Sequence, residues 1–237
     1  MRALALAFGC LTSACAPDAG AVPVCAAGAG RADAPIAFTG RERRFAADIG
    51  RDRARLASER VATIGLGDSI MQRWPDAVLA RMFGGPAVGM GVGGYTVGQV
   101  LAQIDDTDWR GRRPRTVVLM IGTNDLARDA GACDLVAGIE AIRERVARIF
   151  PGARLVVVSV LPRGADLSEF GDRIAQVNVT LAARAKEGRF TYLDANAVFA
   201  RACAPARQTG RCEYLQGPKN VHPTPAGYEM LARSQGR

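Results

Sequence analysis

Short apolar runs alternate with longer amphipathic segments along most of this chain of 237 residues. The runs are rich in Val, Ile and Leu and predict five buried strands, at residues 61–66, 87–92, 116–121, 154–161 and 190–193. Amphipathic periodicity predicts helices at residues 70–83, 97–104, 135–150 and 167–186, and a last helix that begins near Pro225. Strands joined through helices form a parallel sheet covered on both faces. The pattern therefore predicts an α/β fold with a five-stranded parallel sheet.

Polar and glycine-rich blocks follow the first three predicted strands. A Gly-Asp-Ser block ends at Ser69, a Gly-Gly pair ends at Gly94, and a Gly-Thr-Asn-Asp block contains Asn124. Each block alone is typical of an ordinary turn. In parallel sheets, however, ligands bind at the carboxyl ends of the strands, so the ordered combination indicates one site.

His222 is the only histidine of the chain and lies in a loop near its C-terminus. A serine hydroxyl needs a base to remove its proton, and imidazole is the side chain best suited to that near neutral pH. We therefore predict that Ser69 is a nucleophile and His222 its general base. The backbone N–H groups of Ser69 and Gly94 and the side-chain amide of Asn124 are candidate donors to the oxyanion.

Four blocks together resemble the SGNH, or GDSL, hydrolase superfamily, whose named residues are Ser, Gly, Asn and His in that order. Ser69 lies in I-G-L-G-D-S-I, Gly94 in G-V-G-G-Y-T, Asn124 in L-M-I-G-T-N-D, and His222 in V-H-P-T-P-A-G-Y. The resemblance spans residues 61–231. Within it, the phrases G-I-E-A-I at 138–142, L-P-R-G at 161–164 and Q-V-N at 176–178 resemble the catalytic subunits of platelet-activating-factor acetylhydrolase.

This resemblance implies a flavodoxin-like three-layer α/β/α fold and an esterase that cleaves short acyl groups through an acyl-serine intermediate, without metal or organic cofactor. It implies a small acylated substrate, which we expect to be a glycan, lipid or peptidoglycan ester. Two alternatives stay open: a non-catalytic envelope protein that binds glycan or lipid in the same cleft, and an acyltransferase that uses the same serine.

One residue departs from the family pattern. The last block of the family usually reads Asp-x-x-His, whereas here the residue three before His222 is Lys219. A nearby cation is expected to lower the pKa of the imidazole and to destabilise the imidazolium. Three arrangements are compatible with this change: a Ser–His dyad oriented by a backbone carbonyl, a replacement acid such as Asp194 or Glu213, or an inactive site. Asn220 is a further candidate for orienting the ring.

The N-terminus resembles an export signal. Met1 and Arg2 precede an apolar run that extends to Ala14 and is too short to span a bilayer as a permanent helix. Processing at Cys15 would give a lipid-anchored protein, and cleavage after Ala26 a periplasmic or secreted one. We therefore expect an exported protein with a signal and linker over residues 1–26, a linker and helix over 27–60, and the hydrolase domain over 61–237.

An oxidising compartment favours disulfide bonds between the cysteines of the folded domain. We expect Cys203 to pair with Cys212 across a short loop and Cys133 to remain free. No CxxC pair is present, and one histidine is too few for a typical zinc site, so no metal is expected.

The formal net charge of +8 could indicate a partner such as nucleic acid. The basic residues are scattered, however, and no basic stretch is interleaved with aromatic residues. Nucleic acid is therefore not expected as a partner.

Overall fold

A computed structural model describes residues 22–30, 42–58, 60–217 and 219–236. Its main sheet has five parallel strands in the order β2-β1-β3-β4-β5, which confirms the predicted sheet and its place in a flavodoxin-like fold. The strands are β1 (Thr63–Gly67), β2 (Ala87–Gly89), β3 (Thr116–Met120), β4 (Arg154–Val158) and β5 (Thr191–Leu193). Two further strands, β6 (Leu215–Gln216) and β7 (His222–Pro223), form a separate antiparallel pair that the sequence pattern did not predict.

The first helix precedes the main sheet, and the later helices connect its strands or follow the last of them. The helices are α1 (Glu42–Ser58), α2 (Ser69–Gln72), α3 (Asp76–Phe83), α4 (Val97–Asp106), α5 (Thr123–Leu126), α6 (Ala132–Ile149), α7 (Gly171–Lys186), α8 (Ala195–Ala202), α9 (Ala206–Thr209) and α10 (Pro225–Ser234).

Strand residues alternate between two apolar layers, one on each face of the sheet. In β3, Val117 and Leu119 belong to one buried cluster, whereas Val118 and Met120 belong to the other. Because both faces are covered, strands of this kind are apolar at nearly every position instead of at every second one. This is the physical reason why continuous apolar runs identified the sheet.

The predicted helix over residues 70–83 is two helices, α2 and α3, separated at Pro75. Proline has no N–H to donate and disfavours helical conformation in the residue before it, so α2 ends and α3 begins after it. Trp74 lies at this break and is buried against Phe83 and Tyr228. Trp109 is likewise buried and packs edge-on against Phe150. Both tryptophans are packing residues.

Two disulfide bonds cross-link the domain. The bond between Cys203 and Cys212 confirms the predicted pair. The expectation that Cys133 is free is wrong, because Cys133 is bonded to Cys25. The two cysteines are 108 positions apart, so only the tertiary packing brings them together.

Residues 22–30 are held against the domain around this second bond. The backbone N–H of Cys25 donates to Thr180 Oγ1 at 3.1 Å, and Arg184 Nη2 donates to the Cys25 carbonyl at 3.1 Å. Both partners lie in α7, while Cys133 lies in α6. This short segment therefore belongs to the folded unit rather than to a free linker.

Within the described ranges, no helix combines the length and the apolar character needed to cross a membrane. The expected export signal and Cys15 lie outside the described residues.

Removal of the Cys25–Cys133 bond should destabilise the protein more than removal of the Cys203–Cys212 bond. A cross-link that closes a longer loop lowers the entropy of the unfolded chain more. The stabilisation expected from this effect is about 4–5 kcal/mol for a loop of ~110 residues, and about 2 kcal/mol less for a loop of ~10 residues. Urea unfolding of the double variants Cys25→Ser/Cys133→Ser and Cys203→Ser/Cys212→Ser measures both losses. Equal losses, or the reverse order, would contradict the entropic account.

Candidate active site

The four blocks meet at the carboxyl edge of the sheet. Ser69 begins α2 directly after β1, and Asn124 lies in α5 after β3. His222 comes from β7, far along the chain, and its Nε2 lies 2.8 Å from Ser69 Oγ. A cleft of about 430 Å³ opens over this pair. Its lining residues are Ser69, Gln72, Arg73, Gly93, Gly94, Asn124, Ala127, Arg163, Val221 and His222.

Close backbone packing places Ser69 at the mouth of this cleft. A Cβ on Gly67 would lie 2.0 Å from the carbonyl oxygen of Met120 in the neighbouring strand, so this position requires glycine. Asp68 then caps α2, because its Oδ1 accepts a hydrogen bond from the Ile70 N–H at 2.8 Å. The chain consequently turns from strand to helix with Ser69 as the first helical residue.

His222 is fixed by the small antiparallel pair and by the helix that follows it. In that pair, His222 lies opposite Gln216. Thr224 caps α10 by accepting from the Gly227 N–H at 3.1 Å, and its hydroxyl donates to the Glu213 carbonyl at 2.9 Å. Tyr228 of α10 donates its hydroxyl to the Ile70 carbonyl of α2 at 2.6 Å. The segments that carry the base and the serine are therefore tied together.

Among the described residues, no carboxylate pairs with His222. Of the two proposed replacement acids, Asp194 caps α8 through a 3.0 Å bond from the Ala197 N–H, and Glu213 is hydrogen-bonded to Tyr214. The Nδ1 atom faces Gly217, where an added Cβ would lie 4.0 Å away. The described part of the chain thus contains a Ser–His pair without a third acidic member.

Asn220 does not orient the imidazole. Its side-chain amide donates to three carbonyl groups, those of Gly164, Ala165 and Gly210, at 3.1 to 3.3 Å. It is buried and has a left-handed backbone with φ of 48°. Its role is to hold the loop before His222 in place.

Lys219 directs its charge to Glu169 instead of to the imidazole. Lys219 Nζ lies 2.6 Å from Glu169 Oε1, and Arg163 Nε donates to Glu169 Oε2 at 2.8 Å. Burial acts to raise the pKa of Glu169, but the hydrogen bonds from Lys219 and Arg163 outweigh it and hold that pKa below its usual value. Glu169 therefore stays ionised between two cations.

The pKa of His222 is nevertheless lowered. Burial of the ring is the largest cause, and the charges of Arg73 and Arg163 add to it. The sequence-based expectation thus has the correct direction, but the responsible cations are Arg73 and Arg163 rather than Lys219.

Candidate donor groups line the same cleft as the Ser69 hydroxyl. Asn124 Nδ2 donates to the Tyr95 carbonyl at 2.9 Å, which leaves its second amide hydrogen for another acceptor. Within the described part of the chain, the backbone N–H groups of Ser69 and Gly94 donate to no protein acceptor. Gly94 has φ of 83°, in the left-handed region that favours glycine.

Arg163 is a site residue that the sequence reasoning did not single out. It is buried and donates from Nη1 to the carbonyl and hydroxyl oxygens of Thr123, at 3.1 and 2.8 Å. It thereby fixes the residue next to Asn124. The phrase Leu-Pro-Arg-Gly at residues 161–164, which contributed to the family resemblance, was the available signal.

Two carboxyl groups lie buried beneath the site. Burial raises the pKa of Asp68 to about 7, and the nearby charge of Asp125 adds to this. Burial likewise raises the pKa of Asp125 to about 6, although its Oδ1 accepts from the Val97 N–H at 3.0 Å. Asp68 and Asp125 each have one carboxyl oxygen without a hydrogen-bond partner. Asp68 holds the turn at Ser69 through its bond from the Ile70 N–H, and Asp125 holds the loop of Asn124 against the start of α4 through its bond from the Val97 N–H.

No group of three or more His, Cys, Asp and Glu side chains in the described ranges is placed to hold a metal ion. The histidine itself is engaged with Ser69.

Comparisons with known proteins identify the family of this chain. Residues 62–230 match the model of the GDSL-like Lipase/Acylhydrolase family. Over 172 residues, which are 71% of this chain and 71% of the relative, the sequence is 30% identical to the platelet-activating factor acetylhydrolase IB subunit alpha1 of Rattus norvegicus. The human alpha1 subunit gives the same identity and coverage.

Solved structures show the same fold at lower identity. A GDSL-like lipase from Bacteroides thetaiotaomicron superposes with a TM-score of 0.61 at 20% identity, covering 81% of this chain and 93% of that one. A mutant acetyl-xylooligosaccharide esterase from Geobacillus Stearmophilus superposes with a TM-score of 0.57 at 17% identity, covering 73% and 90%.

The family match covers both the sheet and the segments that carry the Ser69–His222 pair. The chain belongs to the GDSL-like lipase/acylhydrolase family and is a hydrolase of the carboxylic ester type.

Proposed function

We propose that this protein is an exported serine esterase that releases short acyl groups from small esters through an acyl-serine intermediate. The observation that carries the proposal is the 2.8 Å contact between Ser69 Oγ and His222 Nε2. This distance lies within the range in which a general base can take the proton of a nucleophile.

The reaction is assigned to the two residues as follows. Ser69 Oγ attacks the ester carbonyl carbon while its proton passes to His222 Nε2. As the tetrahedral intermediate collapses, the C–O bond to the alcohol breaks and the proton moves from Nε2 to the departing oxygen. Water then attacks the acyl-serine and loses a proton to His222, and His222 passes this proton to Ser69 Oγ as the bond between Oγ and the acyl carbon breaks.

The negative charge on the carbonyl oxygen requires fixed donors. The N–H groups of Ser69 and Gly94 and the second amide hydrogen of Asn124 are proposed for this role, because none of them is used by a described protein acceptor at the cleft. Donors held in place before the reaction need no reorganisation as charge develops.

The absence of an acidic partner among the described residues favours a dyad. The two arginines and the burial of the ring favour the neutral imidazole, so the base is ready to accept a proton. The same environment destabilises the imidazolium formed in the transition state, and turnover is therefore expected to be lower than in a triad with a carboxylate.

Two observations support a short acyl group and a small substrate. The cleft of about 430 Å³ is at the small end of typical ligand pockets. The names of two relatives refer to the removal of acetyl groups, one from platelet-activating factor and one from xylooligosaccharides. The alcohol is proposed to be part of a glycan, lipid or peptidoglycan ester.

Export is supported by the two disulfide bonds, which persist in oxidising compartments. The Cys25–Cys133 bond also bears on processing, because cleavage after Ala26 would leave Cys25 on the removed peptide. We therefore favour processing upstream of Cys25, for which lipidation at Cys15 is the candidate, giving a periplasmic or secreted protein with a lipid anchor.

Ser69→Ala should abolish hydrolysis of p-nitrophenyl acetate and covalent labelling by a fluorophosphonate, because both reactions need the hydroxyl. The matched control is Ser234→Ala in α10, whose hydroxyl donates to the Leu231 carbonyl. The control should keep wild-type rates. Equal residual activity in Ser69→Ala and wild type would contradict the assignment.

Asn124→Ala should lower kcat by about a hundredfold or more, with a smaller effect on KM, because an oxyanion donor acts mainly in the transition state. Steady-state kinetics with p-nitrophenyl acetate measure the two constants separately. An unchanged kcat would remove Asn124 from the set of donors.

On the acid side, kcat/KM should rise with pH through a pKa below the ordinary histidine value of 6.5, because only neutral His222 accepts the proton. The chain has one histidine, so its imidazole NMR signal can be followed without ambiguity. The NMR measurement therefore distinguishes the titration of His222 from that of Asp68, whose pKa is raised to about 7. A histidine midpoint at or above 6.5 would contradict the described electrostatics.

A further inference from the structure

The charged side chains that line the cleft over Ser69 include two arginines, Arg73 and Arg163. Among the described residues, the lining includes no Asp or Glu. Arg128 lies beside it and donates from Nη1 and Nη2 to the Gly94 carbonyl, at 3.2 Å each. Three permanent cations therefore surround the place where an ester must bind.

The nearby acids do little to neutralise this charge. Asp68 and Asp125 are buried beneath the cleft, and burial raises the pKa of each towards neutrality. Glu169 is shared between Arg163 and Lys219, so its single negative charge faces two cations. The local balance at the cleft remains positive.

Arg73 is the cation of the cleft wall with a free guanidinium. Its side chain is exposed, and within the described residues it makes neither a hydrogen bond nor an ion pair with protein. Its backbone is nevertheless fixed, because the Arg73 N–H donates to the Ser69 carbonyl at 3.2 Å and to that of Met71. An exposed guanidinium is thus carried by a fixed backbone position four residues after the nucleophile.

Some other arginines on the surface are paired with acids. Arg81 binds Glu229, and Arg110 binds Asp108 at 2.7 Å. Arg73 differs from these residues in its place: it lies in the wall of the cleft, where its charge lowers the pKa of His222 and disfavours the imidazolium.

From this arrangement, which rests on the proposed function, we propose that the preferred substrate is an ester carrying an anionic group, a carboxylate or a phosphate, close to the scissile bond, and that Arg73 binds this group. Guanidinium matches both anions with paired, charge-assisted hydrogen bonds. A bound anion also offsets the positive charge beside His222. The arginines that oppose the imidazolium in the empty cleft then become neutralised by the substrate itself.

The test compares esters that differ in charge but little in shape. On the alcohol side, 4-acetoxybenzoate is paired with neutral 4-acetoxybenzamide, and 4-acetoxyphenyl phosphate provides the phosphate. On the acyl side, 4-nitrophenyl hydrogen succinate is paired with 4-nitrophenyl butyrate. Ratios of kcat/KM, anionic over neutral, are measured at about pH 8, where His222 is neutral.

Three variants are compared with wild type. Arg73→Gln removes the charge, and Arg73→Lys keeps it without the paired donors. Arg148→Gln is the matched control, because Arg148 is an exposed arginine in the last turn of α6. Since α6 runs from the carboxyl edge of the sheet towards the start of β4, Arg148 lies at the edge opposite the cleft.

In at least one pair, Arg73→Gln should lower the anionic-to-neutral ratio by about tenfold, while Arg73→Lys should lose less and Arg148→Gln should keep the wild-type ratio. Added salt should reduce the wild-type ratio. The pair that responds shows whether the anion lies on the acyl or the alcohol side, and the phosphate ester shows which anion is preferred.

A fall of less than about fivefold with Arg73→Gln in every pair would overturn the proposal, since charge-assisted bonds to a bound anion should exceed it. An equal fall with Arg148→Gln would overturn it as well, because the effect would then come from overall charge. Hydrolysis of the neutral esters without this discrimination leaves the esterase proposal standing, whereas no Ser69-dependent hydrolysis of any ester removes both.

Discussion

The hydrogen-bonding contact between Ser69 and His222 is the interaction on which the function of this fold depends, and it joins residues 153 positions apart. The position of each side chain depends on contacts with other segments of the chain. The serine needs the sharp turn after β1, which only a glycine at position 67 permits against β3. The histidine needs the pairing of β6 with β7 and the Tyr228 bond that ties α10 to α2. The fold thus keeps Ser69 Oγ and His222 Nε2 close enough for proton transfer.

The charged residues near the Ser69–His222 pair differ from the family pattern. Lys219 occupies the position where an acid is usual, yet its ammonium is bound by Glu169. Glu169 in turn positions Arg163, which fixes the loop of Asn124 through Thr123. The ion pairs of Glu169 therefore lie beside the cleft and not at the imidazole. In the proposal made here, an anionic group of the substrate offsets the positive charge of the cleft wall.

Much of the fold could be predicted because its signals are local. Continuous apolar runs identified every strand of the main sheet, since burial on both faces leaves few polar positions within a strand. The break at Pro75 was available from the sequence but was not used, so one helix was predicted where two exist. Strands β6 and β7 have two residues each, which is too short for an alternating pattern to predict them. The Cys25–Cys133 bond joins distant segments, and spacing alone could not reveal it.

The sequence by itself determined which residues could carry the chemistry. One histidine and one ordered set of blocks left Ser69 and His222 as the candidates, and alternating apolar and amphipathic segments defined the sheet. Only the tertiary structure decided their partners: that Lys219 binds Glu169 and that Arg73 remains unpaired at the cleft wall, within the described residues. The physical reason is that residue type sets what a group can do. The charge and hydrogen bonds it meets are set by segments that approach it only after folding.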